Sequence, residues 1–384
     1  MHLTDEKKER LNRILFLLLI LIAGISVVSK PTFDLYDRLS LYIMALFSAC
    51  ITVINFRLSK PYWIFVAVFS VYLIGSILYN RGGIGSVVTS VVSVFMLYSY
   101  FCFRPDRVSG LVLTVFSVAV VIFLCVLSYF YADNRNEILS HGINTNVLGM
   151  FLIYFFMIAC SLMPVPAIAK RIAVPVLLIP AAIGLYHYSS RGSMLALALF
   201  LVLYLIPKKW MTAKTTVIAA GVVIVLGLLF PIVYLLLYRN GIQFQIFGKN
   251  LFTGRQEIWN NMFDLLNESP LNWLFGIGSH QTLRAEGSMN VHNNYFAVLV
   301  NSGVIGFVLY YGFLMTVFVR AARGIRKDSR IRCLLCMFIA SALMLGFFEI
   351  TTLWTTTYPF AFFSLGTAYG LAQHDRKTAE GSGT

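Results

Sequence analysis

The chain has 384 residues, 59% of them hydrophobic, 15% aromatic and only 12% charged, with a formal net charge of +14. Soluble domains carry about 25% charged residues, and a mean hydropathy of +0.79 leaves more apolar surface than one water-soluble core can enclose. A soluble enzyme is excluded, and the basic residues sit in short clusters between apolar runs rather than on one face, which argues for membrane topology and against a nucleic-acid partner.

A helix needs about 20 apolar residues to cross the hydrocarbon. Twelve runs meet that need, at 13–29, 39–56, 62–80, 85–103, 109–131, 147–164, 173–189, 192–207, 215–238, 294–319, 333–354 and 358–373. The first follows a charged stretch from Asp5 to Arg13 and has no small-residue cleavage site, so it reads as a retained helix rather than a removed leader. Alternate connections are basic, and with the basic residues of the two ends they place 21 of the 30 lysines and arginines on one side. That bias predicts an even number of crossings with both termini cytoplasmic. The expected organisation is nine crossings over 1–238, a large outer loop at 239–291, three more crossings over 292–373 and a cytoplasmic tail at 374–384.

Within the outer loop, Arg255 to Leu266 spaces Ile258, Trp259, Met262, Phe263, Leu265 and Leu266 as an amphipathic helix, ended by Glu268-Ser-Pro270. The two halves of the chain show no similarity to each other, which weighs against an inverted-repeat transporter. Six cysteines, including Cys333-x-x-Cys336, lie in or beside apolar runs and imply neither a disulfide framework nor a zinc site. No phosphate-binding glycine loop, HExxH, GxSxG or acid-rich cluster appears, so no metal or other cofactor is expected.

Polar groups at the outer membrane boundary are costly to keep there, and those that topology does not explain are functional candidates. Ser189-Ser190-Arg191-Gly192-Ser193 joins two crossings, with His187 one turn earlier. An arginine in such a turn can offer its planar fork, together with backbone N–H groups, to a phosphate; snorkelling to lipid headgroups is the plainer alternative. Arg255 opens the amphipathic helix, where the N-terminal dipole attracts anions, although a solvated loop arginine fits the same position. His292-Asn293 precedes the tenth crossing. A histidine there can take a proton from a hydroxyl if a neighbour fixes its tautomer, and Asn293 is the nearest such neighbour in sequence; an interfacial histidine without a catalytic role is the competing reading. Glu349, at the outer end of the eleventh crossing, can orient the histidine, pair with an arginine or reach water. His280 and Arg284 are weaker loop candidates, and His141, Asn144 and Asn146 can either line a sugar site or cap a helix.

In order along the chain, Ser190-Arg191-Gly192, Gly254-Arg255-Gln-Glu-Ile-Trp259, Gly276-Ile-Gly278 and His292-Asn293 followed by Gly303-Val-Ile-Gly306 resemble the O-antigen ligase and O-antigen polymerase superfamily of bacterial envelope glycosyltransferases. The resemblance implies an all-α, GT-C-like integral membrane protein of about twelve crossings in the bacterial inner membrane, with its active site on the periplasmic face. It implies a metal-independent, inverting transfer of an oligosaccharide from undecaprenyl diphosphate to an acceptor hydroxyl. Carried onto this sequence, Arg191 and Arg255 hold the donor diphosphate and His292 is the general base, with Ser190, Gly192, Asn293, Glu349, His187, Arg284 and His280 as the wider substrate-binding set. The acceptor is a lipid-linked repeat unit in a polymerase or lipid A core in a ligase, with membrane lipids and a chain-length regulator as further partners. The compact outer loop favours the polymerase. A transporter or lipid flippase is the competing class, and it should place polar groups near the membrane midplane rather than at one boundary.

Overall fold

The computed structural model describes residues 5–29, scattered positions in 43–54, and 103–133, 145–242, 245–246, 249–250, 255–278, 291–349, 351 and 358–381. Among them the regular secondary structure is helical apart from one antiparallel pair of two-residue strands. The helices are α1 (Asp5–Ser29), α2 (Arg107–Asp133), α3 (Thr145–Leu162), α4 (Ala167–Tyr188), α5 (Arg191–Leu205) and α6 (Ala213–Arg239). The hairpin strands β1 (Gln245–Ile246) and β2 (Lys249–Asn250) then pair antiparallel. After them come α7 (Arg255–Asn267), α8 (Pro270–Phe275), α9 (Asn294–Ala322), α10 (Ser329–Met337) and α11 (Tyr358–Gly381). Six of the described helical segments are long and apolar enough to cross a membrane, and the chain is a multi-pass membrane protein. The expected crossings at 62–80 and 85–103 lie outside the described residues almost entirely, and that at 39–56 is described only in part.

Two of the six segments form the inside of the bundle. The apolar windows of α3 and of the segment that begins with α10 are 89% and 83% buried, against 28–39% for the other four. Outer helices instead leave Val108, Ile122, Ile168, Ile179, Val225 and Val308 exposed, which is stable where the surrounding medium is hydrocarbon rather than water. Each backbone group must be satisfied within the chain in that medium, and the helix starts show how. Thr212 and Thr215 form a reciprocal capping box at α6, Asp328 accepts the Arg330 N–H at α10, and Asn293 accepts the Phe296 N–H at α9.

The eleventh predicted crossing departs from expectation. Instead of one helix over 333–354, α10 passes into a π-helical stretch at Phe338–Met344 and a tight 3₁₀ turn at Leu345–Phe347. Apolar periodicity cannot report this, since nearly every residue from 333 to 347 is buried and no one face stands out. A change of turn type breaks the regular ladder, and three successive carbonyls find hydroxyl donors elsewhere: Tyr154 donates to Ser341 O, Thr351 to Ala342 O and Tyr295 to Leu343 O, at 3.1, 2.7 and 2.7 Å. The helix therefore ends early, and Phe348 and Glu349 follow at one end of the bundle. The last helix also differs from expectation, because α11 continues through the tail to Gly381 rather than stopping near 373.

The described part of the outer loop packs on the bundle through its own small core. Trp259, Met262 and Leu266 of α7 are buried against Tyr234 and Leu235 of α6, with Ile277, Phe296 and Val300. Each fully buried Met or Leu contributes about 1.5–3 kcal/mol. Glycines set how close this layer approaches. A Cβ on Gly276 would lie 2.5 Å from the backbone of Asn301 and Ser302, and one on Gly303 would lie 2.2 Å from Leu274 O. Gly303 also interrupts α9 with φ 66 and ψ −175, a region open essentially to glycine alone. Backbone thus meets backbone, and the Ile277 N–H donates to Val300 O at 2.8 Å. The glycines that preceded and followed the histidine in sequence are the two faces of this one contact.

Candidate active site

Arg191 is the first residue of α5. Ser189 closes α4 in the left-handed conformation with φ 52 and donates its N–H to Tyr186 O, which lets the chain reverse within two residues. Small residues are required around this turn. Gly149 of α3 leaves the space that Ser190 occupies, and a Cβ on Gly192 would lie 3.0 Å from Phe348, the neighbour of Glu349. The Ser190 hydroxyl is buried and donates to Ser193 Oγ at 2.9 Å, so its hydrogen bond supports the turn.

Arg255 and Trp259 lie one turn apart on α7 and act on the same place from two directions. Arg255 Nη2 lies 3.8 Å from Glu349 Oε1. Trp259 is fully buried, and its indole N–H donates to Val291 O at 2.7 Å, which fixes the residue just before His292. His292 itself has φ 50, a conformation histidine tolerates better than most residues but still at some cost. The Asn293 cap and the Trp259 bond hold it from both sides.

The central contact lies between His292 and Glu349. His292 Nδ1 is 3.2 Å from Glu349 Oε2, with side-chain exposures of 25% and 5%. A carboxylate only accepts hydrogen bonds, so the Nδ1 facing it carries a proton, and in the neutral imidazole this tautomer leaves Nε2 as the acceptor. Glu349 Oε1 also accepts from the Asn146 amide at 3.4 Å. One acid therefore gathers α3, α7 and the start of α9. Burial, above all, pushes the Arg255 guanidinium below its ordinary value; Arg191 pushes the same way, while Glu349 and Tyr234 pull it back. Arg255 is thus held near a like charge and near one carboxylate, and a guanidinium so placed is suited to an anion.

The sequence expectations divide accordingly. Arg191, Arg255, His292 and Glu349 come together at one end of the bundle, and Gly192 lies beside them. Asn293 does something other than expected: it is wholly buried, caps α9 and donates to Phe347 O at 3.2 Å, so the group facing the histidine is Glu349, 57 residues on. His187 points to α2, with Nδ1 3.1 Å from Ser128 Oγ and its ring edge-on to Tyr129. His280, Arg284, His141 and Asn144 lie outside the described residues. Sequence reasoning missed Trp259 and Tyr234 as supports; the only available signal was that Trp259 follows Arg255 by one helical turn. Among the described residues no three His, Cys, Asp or Glu side chains converge as a metal site, and the five described cysteines are free thiols.

Part of this arrangement falls within a recognised family segment, with Glu349 and Asn146 outside it. Residues 176–311 match the family model described as O-Antigen ligase. The segment contains Arg191, Arg255, His292 and Gly303, and it supports the O-antigen ligase and polymerase superfamily that the motifs resemble. The match covers about a third of the chain and supports, in general terms, a function of the O-antigen ligase or polymerase type. Comparison with curated proteins gives no match.

Proposed function

We propose that the protein transfers an oligosaccharide from undecaprenyl diphosphate to an acceptor hydroxyl at the outer face of a bacterial inner membrane, both termini of its roughly twelve-helix, GT-C-like bundle being cytoplasmic. The observation that carries the reading is the buried Glu349 carboxylate 3.2 Å from His292 Nδ1. With Nδ1 donating to that carboxylate, Nε2 accepts the acceptor's hydroxyl proton as its oxygen attacks the anomeric carbon. The bond from that carbon to the diphosphate oxygen breaks with inversion, and both of its electrons leave with the diphosphate. Arg191 and Arg255 stabilise the departing charge as fixed donors already in place before it develops. Glu349 then stabilises the imidazolium that results, while the ordered helix ends align two membrane-borne substrates.

The compact outer loop favours an acceptor that is itself a lipid-linked repeat unit, which makes the enzyme a polymerase. The description of the matching family favours the second reading, ligation of finished glycan to lipid A core. Purified protein incubated with undecaprenyl diphosphate repeat units separates them. A ladder of products from donor alone is expected. Product that forms only when lipid A core is added makes the protein a ligase, and no transfer under either condition overturns both readings.

A further inference from the structure

The end of the bundle opposite His292 carries a second concentration of cations, in the stretch from Arg320 to Arg332. Its members fall into two groups. Arg330 pairs with Asp328 and donates to Pro105 O at 3.0 Å, and Arg332 donates to Ile206 O at 3.2 Å. These two tie α10 to the neighbouring connections. Arg320, Arg323 and Lys327 have no carboxylate or carbonyl partner among the described residues. Instead they surround a cavity of about 470 Å³ at the C-terminal end of α9, closed on the far side by Tyr369 and Gln373 of α11 and floored by Gly324. Lys327 also lines a second cavity of about 330 Å³, together with Lys208, Arg326 and Asp328, whose carboxylate is paired with Arg330.

We infer that this cavity binds the phosphodiester headgroup of an anionic phospholipid in the leaflet at the basic end of the bundle. The general bias of basic residues toward one side accounts for their number. It does not account for three cations without a partner among the described residues, one on the last turn of α9, one at its C-cap and one in the turn that follows, facing a phenol and an amide of α11 across a cavity of ligand size. A phosphodiester supplies what the described lining residues lack, a single negative charge with several acceptor oxygens for guanidinium and ammonium donors. The mouth lies where membrane-crossing helices end, which is the depth of lipid headgroups, and the exposed apolar sides of the outer helices leave room for the attached acyl chains. The shared Lys327 lets a lipid with two phosphates occupy both cavities at once.

The full chain in nanodiscs of phosphatidylcholine alone, or with added phosphatidylglycerol or cardiolipin, followed by native mass spectrometry of retained lipid, tests the inference without reference to catalysis. Anionic lipid should be retained over phosphatidylcholine by roughly tenfold or more, cardiolipin most of all. The variant R320Q/R323Q/K327Q should fall to the phosphatidylcholine level, R323K should hold its lipid, and A372L, which fills the cavity while leaving every charge in place, should lose it. K7Q/K8Q/R10Q, with the same charge removed from α1, should behave as the wild type. Equal retention of all lipids, loss in the α1 variant as great as in the cavity variant, or retention by A372L overturns the inference. So does protection by inorganic phosphate in phosphatidylcholine discs that matches the lipid, since the site would then take a soluble anion.

Discussion

The two ends of the bundle hold cations in opposite ways. At the basic end they are many and mostly reach solvent, and those with partners meet local ones: Arg13 pairs with Asp106, Arg330 with Asp328, and Lys209 lies over the Trp210 ring at 5.6 Å. At the other end one arginine, Arg255, and one histidine meet a single buried acid, with the charge of Arg191 acting on Arg255 from the start of α5, and Arg255 and Glu349 are largely removed from water. Exposed ion pairs are worth little because water screens them and long side chains lose freedom in forming them. A buried set is expensive to assemble, so a chain that retains one at a membrane boundary keeps it for a role that dispersed surface charge cannot perform. Number marks topology; convergence and burial mark chemistry.

Substitutions that treat the two ends alike should break this contrast or sharpen it. Arg255→Ala should lower glycan transfer by about 10²–10³, whereas Arg107→Ala, an exposed arginine at the basic end, should leave the rate within about twofold of wild type. Comparable losses in steady-state assays of both would erase the distinction. Glu349→Gln keeps the size of the side chain but not its charge, and it should lower kcat by about 10–100-fold while donor KM changes little; a change confined to KM would make Glu349 a substrate contact instead. Gly303→Ala tests the clamp between α8 and α9 and should reduce stability by at least about 1–3 kcal/mol from the backbone conformation alone, read as a lower unfolding midpoint in detergent. The smallest effect belongs to Asp106 at the basic end. Burial works to raise its carboxyl, but hydrogen bonds from Ser109 and the Arg13 charge outweigh it and hold it below the ordinary range. A depressed folded value means a stabilising contribution present above the unfolded value of about 3.9 and lost as pH falls through the folded one. Thermal unfolding of Asp106→Asn should show less loss between neutral pH and pH ~3 than the wild type.

Much of this contrast is visible in the sequence and some of it is not. Apolar runs located α2 to α6 and α9 within three residues of their ends, except that α4 starts six residues earlier than its run, because hydrophobic length is what a bilayer selects. Clustered lysines and arginines marked one end of the bundle for the same reason. The segment after α10 was misread as continuous helix, since the π and 3₁₀ turns of 338–347 carry no composition signal and depend on Tyr154, Tyr295 and Thr351 as hydroxyl donors. The pairing of His292 with Glu349 spans 57 residues and two helices; the chain order offered Asn293 as the neighbour, but that amide serves as a helix cap. Gly276 and Gly303 looked like separate motifs and prove to be one close approach. In each case the missing information lay in which backbone groups or side chains meet across helices.

The central claim is that His292, oriented by Glu349, removes the acceptor's proton. It is tested most directly by single-turnover transfer from a saturating undecaprenyl diphosphate donor, with donor binding measured separately, in the wild type and in His292→Ala. The account predicts that the variant binds donor normally and transfers more slowly by about 10²–10⁴. Transfer at the wild-type rate in His292→Ala would contradict it.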